Sequence, residues 1–136
     1  MNDWQHKEEW KRYGKNFSLV VSRHSVPAQI ESGCYDEVGP HRWCIYVYFY
    51  KKHTHFEKFT NNDIWQDACN IGMHGGCSFF RRHHDDEGAE YSIQIGCDYN
   101  HIGDWRYTQL ATPEDAYSVF HDAEELFKKF DSMESA

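Results

Sequence analysis

A chain of 136 residues is long enough for one domain with its own core, and a 17 % aromatic content points to a packed, β-rich protein with stacking surface to spare. The formal net charge of −8 argues against a protein that grips nucleic-acid backbone through a global positive field, so nucleic acid is not the expected partner. It leaves room for a pocket with local Arg, or for an acidic surface that meets a basic protein.

The first twelve residues, MNDWQHKEEWKR, hold no apolar segment of the signal-peptide kind, and the apolar run 43–50 is too short to span a bilayer. No membrane association is expected. The five cysteines (Cys34, Cys44, Cys69, Cys77, Cys97) show no CxxC and read as reduced thiols of a cytoplasm. A Cys77–Cys97 pair across a hairpin is geometrically feasible, but two small buried side chains are the simpler reading.

In chain order, Asn2 or Asp3 is a candidate cap for a short helix ending near Gly14. Residues 17–22 (FSLVVS) read as a strand, and residues 27–40 as a loop with two prolines. Residues 43–52 (WCIYVYFYKK) are β-branched and aromatic on both faces, which suits a central strand. Trp43, Tyr46, Tyr48 and Tyr50 read as core and cross-strand packing rather than a binding platform. Residues 53–59 suggest a turn and a short helix, with His53 and His55 at the surface. Residues 61–71 are irregular.

Residues 73–82 and 90–99 form the two arms of a predicted hairpin about the polar HHDDEG. His83, His84, Asp85 and Asp86 fall at its tip and read as a solvated turn. Residues 102–110 read as a loop. Thr112 as N-cap, Pro113 at N1 and the acidic Glu114-Asp115 then open a helix. Its Ala116, Phe120, Ala123, Phe127 and Phe130 recur on one face. The sum is a single α+β domain over 1–136, an antiparallel sheet of about four strands packed by a C-terminal helix. Within it, 1–40 is an N-terminal helix/strand extension, 41–131 the motif-bearing core and 132–136 a tail.

Antiparallel pairing of the hairpin places the start of its first arm beside the end of its second. His74 therefore lands near Asp98, and His101 and Asp104 follow within a few residues. Gly75 and Gly76 allow close backbone approach and an anion nest. Arg42, Arg81 and Arg82 are available to balance phosphate charge. Three readings of this cluster stay open. His74, Asp98, His101 and Asp104 can hold a divalent metal. Alternatively, His74 and His101 act as acid, base or hydrogen-bond donors toward a nucleotide-like ligand without metal. In the third, the polar groups only tie loops together. Cys97 beside His74 is a lesser candidate nucleophile.

The order HRWCIYVYFYKKH, MHGGCSF, IGCDYNHIGD and TPEDAYSVFHDAEELFKKF resembles a family of small phage and prophage proteins. Those carry an HGG followed by a hydroxyl residue, a Gly-Phe-Asp-Cys-x-His-x-Gly-Asp motif and a terminal helix. The resemblance spans residues 41–130. Matched by position are His74, Gly75, Gly76, Ser78, Asp98, His101, Gly103 and Asp104, and these same residues are the expected ligand-binding set. Tyr99 stands where the family has Cys, and Ile45 where it has Gly. The resemblance implies a phage-encoded protein in a bacterial cytoplasm and specifies no reaction. The leading expectation is an accessory, anti-defence protein that binds a small phosphorylated ligand, such as a nucleotide immune signal. Its rivals are an acidic inhibitor of a host defence protein, of the anti-CRISPR or nucleic-acid-mimic kind, and a metal-dependent phosphoesterase. An aromatic-rich strand surface also suits a homodimer.

Overall fold

The computed structural model describes residues 7–25, 40–53, 56, 73–74, 79–99 and 105–133. Five antiparallel strands form one sheet: β1 (Lys7–Gly14), β2 (Phe17–Ser25), β3 (His41–Tyr50), β4 (Phe79–His84) and β5 (Glu90–Asp98). Their spatial order is β1-β2-β3-β5-β4. One helix, α1 (Tyr117–Ser132), packs on one face. The α+β expectation therefore stands, with β3 at the centre as its composition demands.

β3 is paired on both sides, with Val47 opposite Leu19 of β2 and Ile95 of β5. Its odd-numbered residues Trp43, Ile45, Val47 and Phe49 are all essentially inaccessible. They meet Phe17, Leu19 and Val21 of β2, Ile93, Ile95 and Cys97 of β5, and Val119, Ala123, Phe127 and Phe130 of α1 in one apolar cluster. Trp43 stacks on Trp10 at 5.6 Å, Phe120 of α1 meets both rings edge-on, and Trp43 Nε1 donates to the Leu110 carbonyl at 2.9 Å. That bond satisfies a buried indole N–H and ties the segment before α1 to the sheet.

Several expectations are corrected. The helix proposed before Gly14 is strand β1. Trp10 can reach Trp43 only from an extended chain paired with β2, and that burial outweighs the weak helical spacing. A two-residue turn, Lys15-Asn16, joins β1 to β2, with Asn16 supplying a φ of 67°. The described first arm of the hairpin, Phe79–His84, runs on through His83 and His84, while Met73 and His74 are not in a strand and 75–78 lie outside the described residues. The turn is thus Asp85 to Ala89, held by the Asp85 carboxylate accepting from the Glu87 and Ala89 N–H groups and by Gly88 at φ 87°. The expected loop after β5 contains a 3-10 helix, Trp105–Gln109. The Thr112 hydroxyl does accept from the Asp115 N–H at 3.2 Å, but residues 113–116 form turns and the α-helix starts at Tyr117.

His53, expected at the surface, is 1 % exposed. Its ring sits against Phe17, Phe49 and Phe130, and its Nε2 donates to the Phe130 carbonyl at 3.2 Å. It closes the end of the core where α1 finishes. His53→Ala removes both a packed ring and a hydrogen bond, so a loss of about 2–4 kcal/mol is expected in urea denaturation. An unchanged midpoint would contradict this placement.

Candidate functional site

The alternation of side chains and the strand directions bring chemistry to one end of the sheet. There β1 and β3 begin, and β2 and β5 finish. Cross-strand pairs at that end are Lys7 with His24, Glu8 with Arg23, His24 with Arg42 and Ser25 with His41, and Cys44 pairs with Asp98 one row further in.

On the α1 side of the sheet, Arg23 is buried and central to a small network. It ion-pairs with Glu8 on β1, its Nη1 donates to Ser25 Oγ at 3.3 Å, and the same nitrogen donates to His41 Nδ1 at 2.8 Å. Because the guanidinium only donates, His41 Nδ1 is the acceptor and the imidazole proton sits on Nε2. Burial lowers the His41 pKa, and the Arg23 and Arg42 cations lower it further. On the opposite side, burial lowers His24 in the same way, with Lys7 and Arg42 adding to it. Burial first, and then the neighbouring cations (Lys7 and Arg42 for His24, Arg23 and Arg42 for His41), favour the neutral form of both half-buried imidazoles.

His74 and Asp98 belong to this same end. The His74 backbone hydrogen-bonds the Cys97 sulfur, which puts it beside the end of β5. Its imidazole stacks on the Tyr99 ring at 4.2 Å and 14°, with Tyr107 of the 3-10 helix edge-on at 5.7 Å. Tyr99 is itself buried and donates to Asp122 Oδ2 of α1 at 2.6 Å, and burial together with that carboxylate raises its phenol pKa. His74 is therefore fixed through Tyr99 to the helix. Asp98, one residue before Tyr99, faces the other side of the sheet, near Cys44 and Tyr46. The two share a sheet end but lie on opposite faces of it.

Gly75, Gly76, Ser78, His101, Gly103 and Asp104 lie outside the described residues. Among the described residues, no three His, Cys, Asp or Glu side chains converge as a metal site. Cys97 is a poor nucleophile because burial pushes its thiol up to about 12, which leaves it protonated at neutral pH. Arg81 and Arg82 belong elsewhere. Arg81 pairs with Gln94 in mid-sheet, and Arg82 ion-pairs with Glu90 at 3.0 Å near the turn. His83 is half-buried against Tyr48, with its Nε2 2.8 Å from Gln94 Oε1, not solvated in a turn. The residues that sequence reasoning missed are Lys7, Arg23, His24 and His41. Only the pairing register of β1, β2 and β3 brings them beside Arg42.

Comparison with known proteins finds no matching family model, no matching curated protein and no matching solved structure. No helix among the described residues is long and apolar enough to cross a membrane.

Both imidazoles have pKa values below the ordinary 6.5, so the unfolded chain binds more protons near that pH. Their contribution to stability is complete above pH 6.5 and is lost as pH falls through their folded values. His24→Gln with His41→Gln should flatten the fall in urea midpoint between pH 7 and pH 5 relative to the parent chain. Parallel curves would show that these groups do not feel the cations around them.

Proposed function

We propose that this chain is a phage or prophage accessory protein of the bacterial cytoplasm that binds a small phosphorylated ligand, specifically a nucleotide. The observation that carries the reading is the row of Lys7, His24 and Arg42 on one face of the sheet end that also holds His74 and Asp98, with the Arg23–His41 network behind it on the other face. Phosphate oxygens are strong acceptors, and guanidinium and imidazolium donors meet them with charge-assisted hydrogen bonds. A neutral imidazole among cations gains a proton when an anion arrives, so the site answers to its ligand's charge. The phage setting is supported by the motif resemblance of residues 41–130. In that setting, holding a nucleotide immune signal of the host is the anti-defence role that best fits the chemistry. Retention and hydrolysis of such a signal would use the same donors. The phosphoesterase alternative further requires His101 and Asp104 to complete a metal site with His74 and Asp98.

A second reading keeps one observation of its own. Glu114, Asp115 and Glu125 are exposed on α1 and its lead-in, an acidic surface suited to a basic host defence protein. It predicts binding that ignores His24 and Arg42.

Calorimetric titration with ADP and with pyrophosphate separates the two. Tighter binding is expected at pH 6 than at pH 8, because an anion on the Lys7–Arg42 face favours protonated His24. Arg42→Ala is expected to weaken binding by about tenfold to a hundredfold, the equivalent of one charge-assisted hydrogen bond. Absence of heat with either ligand, or full affinity in Arg42→Ala, would remove the phosphate reading.

A further inference from the structure

The sheet face turned away from α1 has an order of its own. Beyond Lys7, His24 and Arg42, and beyond the row of Glu9, Ser22, Cys44 and Asp98, two aromatic rows follow. One runs Lys11, Val20, Tyr46, Gly96, Phe79, and the next Tyr13, Ser18, Tyr48, Gln94, Arg81. Rows two residues apart along a strand are about 7 Å apart. Each row ends in one cation, Lys11 at the β1 edge of the first and Arg81 at the β4 edge of the second.

The rings lie over a sheet whose Ser18, Val20 and Gln94 are buried, with Tyr46 and Tyr48 themselves half-buried and Tyr13 exposed. Tyr46 lies across β5 in the space that a Cβ at Gly96 would occupy, so glycine at 96 is what lets the ring lie down on the sheet. Phe79 meets it edge-on at 5.5 Å. Tyr48 lies beside His83 at 5.9 Å, and the Lys11 ammonium is 5.0 Å from the Tyr13 ring and 5.9 Å from that of Tyr48. Tyr13 is 69 % exposed, and Lys11 and Arg81 are exposed as well. An apolar core has no use for this pattern. Phenol rings with cations beside them offer π-faces to a flat partner and charge to an anionic one.

The described charges differ in balance between the two faces, although Arg12, Arg23 and Arg82 stand on the α1 side. Lys7, Lys11, Arg42 and Arg81 stand on this face against Glu9 and Asp98. α1 and its lead-in carry Glu114, Asp115, Asp122, Glu124, Glu125 and Asp131 against Lys128 and Lys129. Among the described residues this face therefore carries more cations than anions, against a net charge of −8 for the chain. A second copy of this face would bring cations to cations. An acidic peptide would satisfy the charges but leave the rings without a flat partner.

We propose that this face binds a short single-stranded oligonucleotide, with its phosphates on Lys7, Arg42, Lys11 and Arg81 and its bases on the Tyr46 and Tyr48 rows. The inference rests on the phosphate reading of the same sheet end and extends it from one nucleotide to several. Aromatic rings accept any base, so recognition is by stacking and charge rather than by sequence.

The test is calorimetric titration of the full chain with dT8, rU8, pyrophosphate and an eight-residue poly-Glu peptide, at 50 and 200 mM salt. Octanucleotides are expected to bind more tightly than pyrophosphate, and to weaken with salt. Tyr48→Leu is expected to lose about tenfold in octanucleotide affinity with pyrophosphate affinity unchanged. Tyr13→Ser and the pair Lys11→Gln, Arg81→Gln change exposed side chains and should each lose octanucleotide affinity in the same selective way. Pyrophosphate binding with no gain for octanucleotides, poly-Glu binding as tightly, or full affinity in all these variants would overturn the platform and leave the phosphate site standing. Binding of neither pyrophosphate nor octanucleotide would remove both.

Discussion

Everything in this structure depends on β3 being paired on both sides. A strand so held has no freedom of register, since a slip of one residue would carry Trp43, Ile45, Val47 and Phe49 out of the core. With those four committed to α1, Cys44, Tyr46, Tyr48 and Tyr50 must occupy the other face. That face keeps polar tips on its rings, as the 2.8 Å contact between Tyr50 and Ser18 hydroxyls shows. The same constraint sets the functional end. Once β3 is fixed, its first residues align with the last of β2 and β5, and Lys7 of β1 is carried in beside His24.

Charge then acts locally. An overall excess of acid keeps the chain apart from nucleic acid in general, yet a folded sheet sorts charges by face. Screening limits their influence to about 8–10 Å at ordinary ionic strength. A ligand at the Lys7–His24–Arg42 row meets those groups far more strongly than it meets the acids of α1. The Arg23 network serves the same end from the other face. Its guanidinium is buried and tied to Glu8, Ser25 and His41, which makes it a fixed point rather than a mobile contact.

The central strand, the hairpin and the C-terminal helix were legible in the sequence because each carries a strong periodic or turn signal. β3 is continuous in β-branched and aromatic residues, and Ile93, Ile95 and Cys97 alternate cleanly into the core. β1 was not legible. Its Lys, Arg and Glu residues are good helix formers, and Trp10 alone gives no alternation to read. The start of α1 was misplaced because Thr112 and Pro113 do make the local contact expected of a cap, while the tie from Trp43 to Leu110 governs how the chain enters the helix. His53 looked like a surface residue because nothing nearby announces that Phe17, Phe49 and Phe130 enclose it.

The candidate site divides in the same way. His74 and Asp98 were placed together by hairpin logic, and the sheet end they share is the one described. The alternation that separates Asp98 from Tyr99 also puts them on different faces, a consequence of period-two geometry. Arg23, His24 and His41 carry no local motif, and their convergence with Arg42 exists only through pairing across two strand boundaries.

The most direct test of the whole account is backbone NMR of the isotope-labelled chain titrated with ADP. Amide shifts should cluster at Lys7, His24, Arg42 and Asp98, with the Asp85–Ala89 turn at the far end of the sheet unmoved. Shifts centred on that turn or on α1, or none at saturating ligand, would contradict a ligand site built by the register of β3.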